Sequence, residues 1–475
     1  MYSLLYFDTE DFFSPPEAPV HRLPGQLADI MDRRGLVGCF HIHGEKVRFM
    51  ERHGQTDVIE AVGKHDVSLH YDRGSVHPTT AEEVSNLDWF QGVDRVLFRE
   101  FTGFQTLHRV FGKCSGITQH GGTFAAQIVY AAGKMGYPFL YSPFQLPGRG
   151  VVWYCNNLLM AGAGGRGGLY FDTVYRDTPR FEERLARVDG YLTELAQQVD
   201  YWPMFGCHPV ITVMEAFPDA VNFADGASPP RHEWQAPTPV KGVSIPLILE
   251  NFERFIAKLV NHPEVEWTTV AGISELFGHR PVEVSDAAVV EGAAQVVANR
   301  GPTFTPLLTA GELLYLMARR NLEPADTYEV PQVMGPTAES PASTITRADG
   351  GDVGQISREI VRHVTGSGYL PTALDGHSGD MGPEAALVLL ACHAIGRDPA
   401  DVPDWHLTVE AIPGVAEATE RVERYRDWKP HGPQYNQEGI LKHFRLQAWT
   451  LKPAFTRDKY PDGTKLGRQL NAMIA

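Results

Sequence analysis

Residues 1–280 alternate short apolar runs with stretches whose apolar residues recur every three or four positions. The runs at 3–7, 36–41, 67–70, 115–118, 139–142, 202–207 and 266–270 are too short for helices and predict strands. Between them, residues 23–34 carry Leu27, Ile30 and Met31 at helical spacing and stop at Gly35. Helical spacing also marks 58–62, 125–135 (closed by Gly136), 180–199, 246–260 and a short segment ending at Leu276. Thr79 and Thr80 open a further helical stretch. Glu82 and Glu83 fall in its first turn, where the positive end of the helix dipole favours carboxylates. Repeated strand–helix units predict parallel strands with helical crossovers. About seven such units in this length fit a closed or nearly closed β/α barrel better than an open sheet.

Beyond Gly278 the pattern changes. Residues 281–475 show helical periods and little strand signal, and they contain an internal repeat. Residues 294–319 and 359–393 each read as a helix, a glycine, a Pro-Thr pair (Pro302-Thr303 and Pro371-Thr372), a linker, then a glutamate (Glu312, Glu384) opening an apolar helix. Residues 324–354, rich in Pro, Gly, Ser and Thr, predict an irregular loop. The expectation is a smaller, mainly α-helical domain over 281–475, packed on an α/β barrel domain over 1–280. Residues 404–475 are mixed and end in a polar tail.

Composition narrows the function classes. The 475 residues are 43% hydrophobic and 21% charged, which is globular composition. Lys plus Arg number 42 against 58 Asp plus Glu, a formal charge of −16 that repels nucleic-acid phosphates and anionic membranes. No apolar run reaches the ~18 residues of a membrane span. The N-terminus lacks the basic, apolar and small-residue regions of a signal peptide, so a cytoplasmic location is expected. The five cysteines (39, 114, 155, 207, 392) are scattered without a C-x-x-C pair, and predict reduced, mostly buried thiols rather than disulfides or a thiolate zinc site.

The chemistry-bearing residues gather at predicted strand ends. The first strand ends in Asp8-Thr9-Glu10-Asp11. Three carboxylates in four residues crowd charge that a shared cation or proton relieves; a solvated acidic turn before Pro15-Pro16 is the plainer alternative. His70 ends another strand and His77 follows on its loop. Two imidazoles and a carboxylate can hold a divalent metal with positions left open. His208 ends the strand at 202–207. Neutral residues would pack at three such positions at lower cost, so a metal-dependent hydrolase is expected. His41 and His43 alternate along a strand and are expected to be buried structural histidines.

These motifs, in this order, resemble the NodB-homology polysaccharide deacetylases, carbohydrate esterase family 4. Tyr6-Phe7-Asp8-Thr9-Glu10-Asp11 resembles the family's Asp-rich strand end, residues 37–45 its second strand, His70 and His77-Pro78 its paired metal histidines, His208-Pro209 its late histidine motif, and residues 267–270 its closing segment. The resemblance implies a distorted β/α barrel that removes N- or O-acetyl groups from carbohydrate. It implies a divalent metal, zinc by expectation, held by His70, His77 and either Glu10 or Asp11. It further implies Asp8 as general base and His208 as general acid. Trp153, Tyr154 and Tyr141 are candidate sugar-stacking walls, with core packing as the alternative. Two departures stand out. Six residues rather than three separate the histidines. The family's Arg-x-Pro motif is replaced by Thr118-Gln119-His120-Gly121-Gly122, so Gln119, His120 or Arg166 would have to substitute, and His120 is a candidate substrate-binding residue. Two other functions fit the same residues: a non-catalytic carbohydrate-binding or scaffold protein, and a hydrolase of a small non-sugar amide.

Overall fold

The computed structural model describes residues 1–162, 169–341, 350–376, 379–402, 404–428 and 431–456. Four parallel strands form its centre: β1 (Leu5–Thr9), β2 (Cys39–Ile42), β3 (Asp66–Leu69) and, on the far side of β1, a strand at Met204–Cys207. From β3 the ladder continues through single bridges, Leu69 to Ile117, Ile117 to Phe139 and Phe139 to Leu159. It then enters an antiparallel hairpin of β4 (Val151–Tyr154) and β5 (Asn157–Met160). With the strand at Met204–Cys207 as β6, the last member is β7 (Lys452–Pro453), which pairs with β4.

The expected barrel does not close. The hairpin is antiparallel and its outer edge is occupied by β7. A bridge from Gly148 to Val199 brings the two ends near each other, but no continuous ladder joins them among the described residues. The strands expected at 115–118 and 139–142 shrink to single bridges, and that at 266–270 to Glu266–Trp267.

Helices α1 (Leu23–Arg33), α2 (Gly44–Arg52), α3 (Thr56–Gly63), α4 (Trp89–Phe111), α5 (Ala126–Lys134) and α6 (Ile245–Val260) flank the sheet. Side chains alternate along β1. Leu5, Phe7 and Thr9 point into the apolar core, while Tyr6 and Asp8 point to the opposite face. Phe7 stacks on Phe40, with ring centroids 5.0 Å apart, and meets Phe252 of α6 edge-on. Gly206 makes this possible, because a Cβ there would lie 2.2 Å from the Phe7 ring.

Beyond residue 280 come α7 (Asp286–Asn299), α8 (Ala310–Leu322), α9 (Gly350–Ser367), α10 (Pro383–Ala394), α11 (Val415–Trp428) and α12 (Gln437–Leu446). Helix α8 packs on α9, α7 on α10, and α8 on α10. The apolar core runs unbroken into this region, where Phe144 and Tyr154 pack on Phe444 of α12. All five cysteines are free, and four are buried. No helix among the described residues is long and apolar enough to cross a membrane.

Candidate metal and acid–base centre

Register places the site. On the face of the sheet turned away from the Phe7 core, Asp8 of β1 is paired with His41 of β2, and His41 with Ser68 of β3. Two residues further along the same strands come Glu10, His43 and His70. A period of two therefore builds two layers, both at the carboxyl ends of parallel strands, where α/β folds hold their ligands. His120 follows the bridge residue Ile117, and His208 follows β6.

In the upper layer, nitrogen and oxygen donors converge. His120 Nδ1 lies 3.0 Å from Glu10 Oε2 and 3.1 Å from His70 Nε2, and His70 Nε2 lies 3.7 Å from the same oxygen. Four-coordinate zinc with ligands at about 2.0–2.1 Å would set its donors about 3.3 Å apart, which matches this spacing. His43 joins the group, its donor atom within 4.8 Å of those of Glu10 and His120.

The tautomers are also set for binding. His43 Nδ1 donates to the carbonyl of His70, which leaves Nε2 with a bare lone pair, buried and without a partner. His120 Nε2 donates to Asp219 Oδ1 at 3.1 Å, which leaves Nδ1 facing Glu10. Asp219 is itself held by Ser75 Oγ at 2.9 Å. An imidazole oriented by a carboxylate or a carbonyl is the usual metal-ligating arrangement. Glu10 Oε1 and His70 Nδ1 are likewise buried without a partner. Burying several unpaired polar groups costs about 1–3 kcal/mol each, a cost that a bound cation offsets where the orphaned atoms are its ligands. The residues present fit a divalent metal.

The lower layer links carboxylates and imidazoles in a chain of contacts. Asp172 accepts the backbone N–H of His208 at 2.7 Å and its Nδ1–H at 3.1 Å. His208 Nε2 then faces Asp8 Oδ2 at 3.5 Å, and the other Asp8 oxygen accepts from His41 Nδ1 at 2.9 Å. Burial opposes ionisation of Asp8, but the imidazoles of His70, His208 and His41 outweigh it and hold the carboxyl well below the usual carboxylate range. Burial likewise opposes charge on His208, yet Asp172 and Asp8 raise its value well above that of a free histidine. Burial, followed by the neighbouring imidazoles, keeps His43 neutral, which a ligand requires.

Both layers open into one cavity of about 1140 Å³, with Asp8, Glu10, His70, His120 and His208 on its lining. Tyr141 also lines this cavity, whereas Trp153 is buried on β4 beneath the Arg280 guanidinium, 4.7 Å from its ring, and is not part of the lining. Tyr154 is buried too, its hydroxyl donating to the Phe444 carbonyl.

Asp11 and His77 are placed elsewhere. Both Asp11 oxygens accept from its own turn, from the N–H groups of Phe13 (2.9 Å) and Ser14 (3.1 Å) and from Ser14 Oγ (2.6 Å). His77 Nδ1 donates to Glu82 at 2.8 Å, and Glu82 also caps Thr79. Of the residues expected as ligands (His70, His77 and either Glu10 or Asp11), Glu10 and His70 come together, with His120 and His43 beside them, while Asp11 and His77 lie outside this group. The spacing His41-x-His43 was the available signal, since residues two apart on a strand share a face. Asp172 and Asp219 carried no signal, being 36 and 99 residues from the histidines they hold. Arg166, one expected stand-in for the missing arginine, lies outside the described residues.

No protein-family model matches the chain, and no curated protein matches it. Solved structures similar to it over part of its length are carbohydrate esterase family 4 proteins and polysaccharide deacetylases at low identity. A family 4 pseudoenzyme from Bacillus anthracis is 11% identical over 44% of this chain and 56% of its own, with a TM-score of 0.26, so the chain spans just over half of that protein's length. A family 4 carbohydrate esterase from Streptomyces lividans, solved with acetate, is 12% identical over 56% of this chain and 90% of its own, with a TM-score of 0.28. An allantoinase is 11% identical over 58% of this chain and 90% of its own, with a TM-score of 0.35.

Proposed function

We propose that the chain is a metal-dependent hydrolase that removes an acetyl group from an N- or O-acetylated carbohydrate. One observation carries this reading. The buried donors of Glu10, His70 and His120, with His43 beside them and the tautomers of His43 and His120 set for ligation, sit one strand layer from the Asp8 carboxylate and the His208 imidazole, and Asp8, Glu10, His70, His120 and His208 line one cavity. Glu10, His70 and His120 would hold the metal, with His43 beside them; a carboxylate with several imidazoles suits zinc. When bound, the cation supplies Lewis-acid polarisation of the acyl oxygen.

The chain's own residues do the rest. Asp8, ionised and oriented by His41, accepts the proton of the water that attacks the acyl carbon. His208, kept protonated by Asp172, gives its proton to the departing sugar nitrogen or oxygen as the acyl bond breaks. His41, in register with Asp8, orients that carboxylate through its Nδ1–H. The cavity volume admits a substituted sugar ring.

The test is metal content and acetate release. Purified protein should retain about one equivalent of divalent metal, as expected for a site of this donor set. It should release acetate from acetylated sugars faster than from small cyclic amides. Protein that binds no metal and releases no acetate would leave a non-catalytic binding protein; cleavage confined to the amides would move the substrate class and keep the chemistry.

A further inference from the structure

The acyl-transfer residues leave two cations in the cavity without a task. Arg421 and Arg424 stand one turn apart on α11, and both line the cavity. Arg421 is half-buried and gives one N–H to the carbonyl of Pro143 at 2.6 Å. Arg424 is exposed at the cavity rim. Among the described residues neither guanidinium has a carboxylate partner, although acidic residues outnumber basic ones 58 to 42. The cavity's carboxylates Asp8, Glu10, Asp172 and Asp219 each engage an imidazole, and Asp225, also on the lining, pairs with neither arginine. Like charges three positions apart on a helix repel, an arrangement that an anion between them relieves. The guanidinium fork matches carboxylate and phosphate oxygens two at a time. Beside the arginines, Tyr141 and Tyr425 meet edge to face, ring centroids 5.7 Å apart, and form an apolar wall.

We propose that Arg421 and Arg424 bind an anionic substituent of the substrate, a carboxylate or a phosphate, while its acyl group lies over Glu10 and His120. The substrate is then an acylated sugar that also carries an acid. The identity of the cleaved group rests on the function proposed above; the preference for an anion rests on α11 alone.

Equilibrium binding to the full chain tests this with three probes: N-acetylglucosamine, its 6-phosphate, and N-acetylmuramic acid, which carries a carboxylate. At low salt at least one acidic probe should bind about 10-fold tighter than the neutral one, a factor typical of a charge-assisted hydrogen bond. Whichever acid is preferred identifies the anion. Arg421→Gln/Arg424→Gln should abolish the preference and Arg424→Lys should keep part of it, with metal content unchanged in both. Equal binding of all three probes, binding of none, or a preference that survives in the double glutamine variant overturns the proposal. Metal content in the same samples separates the two readings. Anion preference in a protein that holds no metal removes the hydrolase and leaves the anion site; a metal-loaded protein without preference does the reverse.

Discussion

His120 and His77 are both buried histidines bonded to a carboxylate, yet the structure sets them in different surroundings. His120 turns its second nitrogen toward Glu10 and His70, while His77 faces none of the converging donors. Asp219→Asn should therefore weaken zinc binding about 10- to 100-fold, the usual effect of losing a carboxylate that orients a ligand, as read by chelator competition. His77→Gln should leave zinc affinity unchanged and cost roughly 1–3 kcal/mol in denaturant unfolding, because Glu82 loses a buried partner. The reverse pattern would restore the ligand set expected from sequence. His208 adds a pH prediction. Its folded value is raised by Asp172 and Asp8 against the effect of burial. Its contribution to stability is thus fully present below the unfolded histidine value of about 6.5 and is lost as pH rises through the higher folded value. The protonated acid persists over the same range, so its loss should appear as a fall in activity on the alkaline side. Asp172→Asn should move that alkaline limb to lower pH in a pH–rate profile; an unmoved limb would separate His208 from the titrating acid.

At the scale of elements, the sequence was legible where burial on one face gives a clean period. β1, β2, β3, β6, α1, α5 and α6 fall within a few residues of the apolar runs that predict them. Period alone does not see breaks. The helix expected over 180–199 divides at Arg187, and the stretch after Thr79 divides where Asp88 caps a new helix. The β4–β5 hairpin went unread because its turn is Cys155-Asn156, both at positive φ (51° and 54°), rather than a glycine turn. Half of the proposed metal-holding group was hidden for a related reason. His120 and His43 sit on elements whose approach depends on packing, and one glycine shows how closely. A Cβ on Gly74 would lie 2.5 Å from His43 Cε1 and 2.7 Å from His120 Cβ. Gly74→Ala should push these two imidazoles apart, lowering zinc affinity more than it lowers the unfolding midpoint. An alanine variant with undiminished zinc affinity would mean that the cluster tolerates rearrangement.

At the scale of the whole molecule, the cavity needs both halves of the chain, since α11 supplies part of its wall and β7 completes the sheet beside it. The change of pattern near residue 280 is accordingly proposed as a boundary of sequence character and not of unfolding. A buried ion cluster sits at the junction. Glu312, at the third position of α8, caps Thr309, accepts from Lys452 of β7 at 2.9 Å and accepts from Arg280 at 2.7 Å. Arg280 in turn lies over Trp153 of β4 and donates to Asn156 in the hairpin turn. Burial opposes charge on Glu312, and Lys452 and Arg280 outweigh it and hold the carboxyl below its usual range. On Lys452, burial outweighs Glu312 and brings the amine down to about 8. Removing the carboxylate strands a buried ammonium, so Glu312→Ala should cost about 3–5 kcal/mol, the usual effect of breaking a buried pair. The pairing of Lys452 with Trp153 carries that loss into the sheet. One cooperative transition, shifted as a whole, is therefore expected by calorimetry and by tryptophan fluorescence alike. Two separated transitions, with the first confined to the helical half, would show that the halves are joined only by contact and that the cavity wall can detach from its floor.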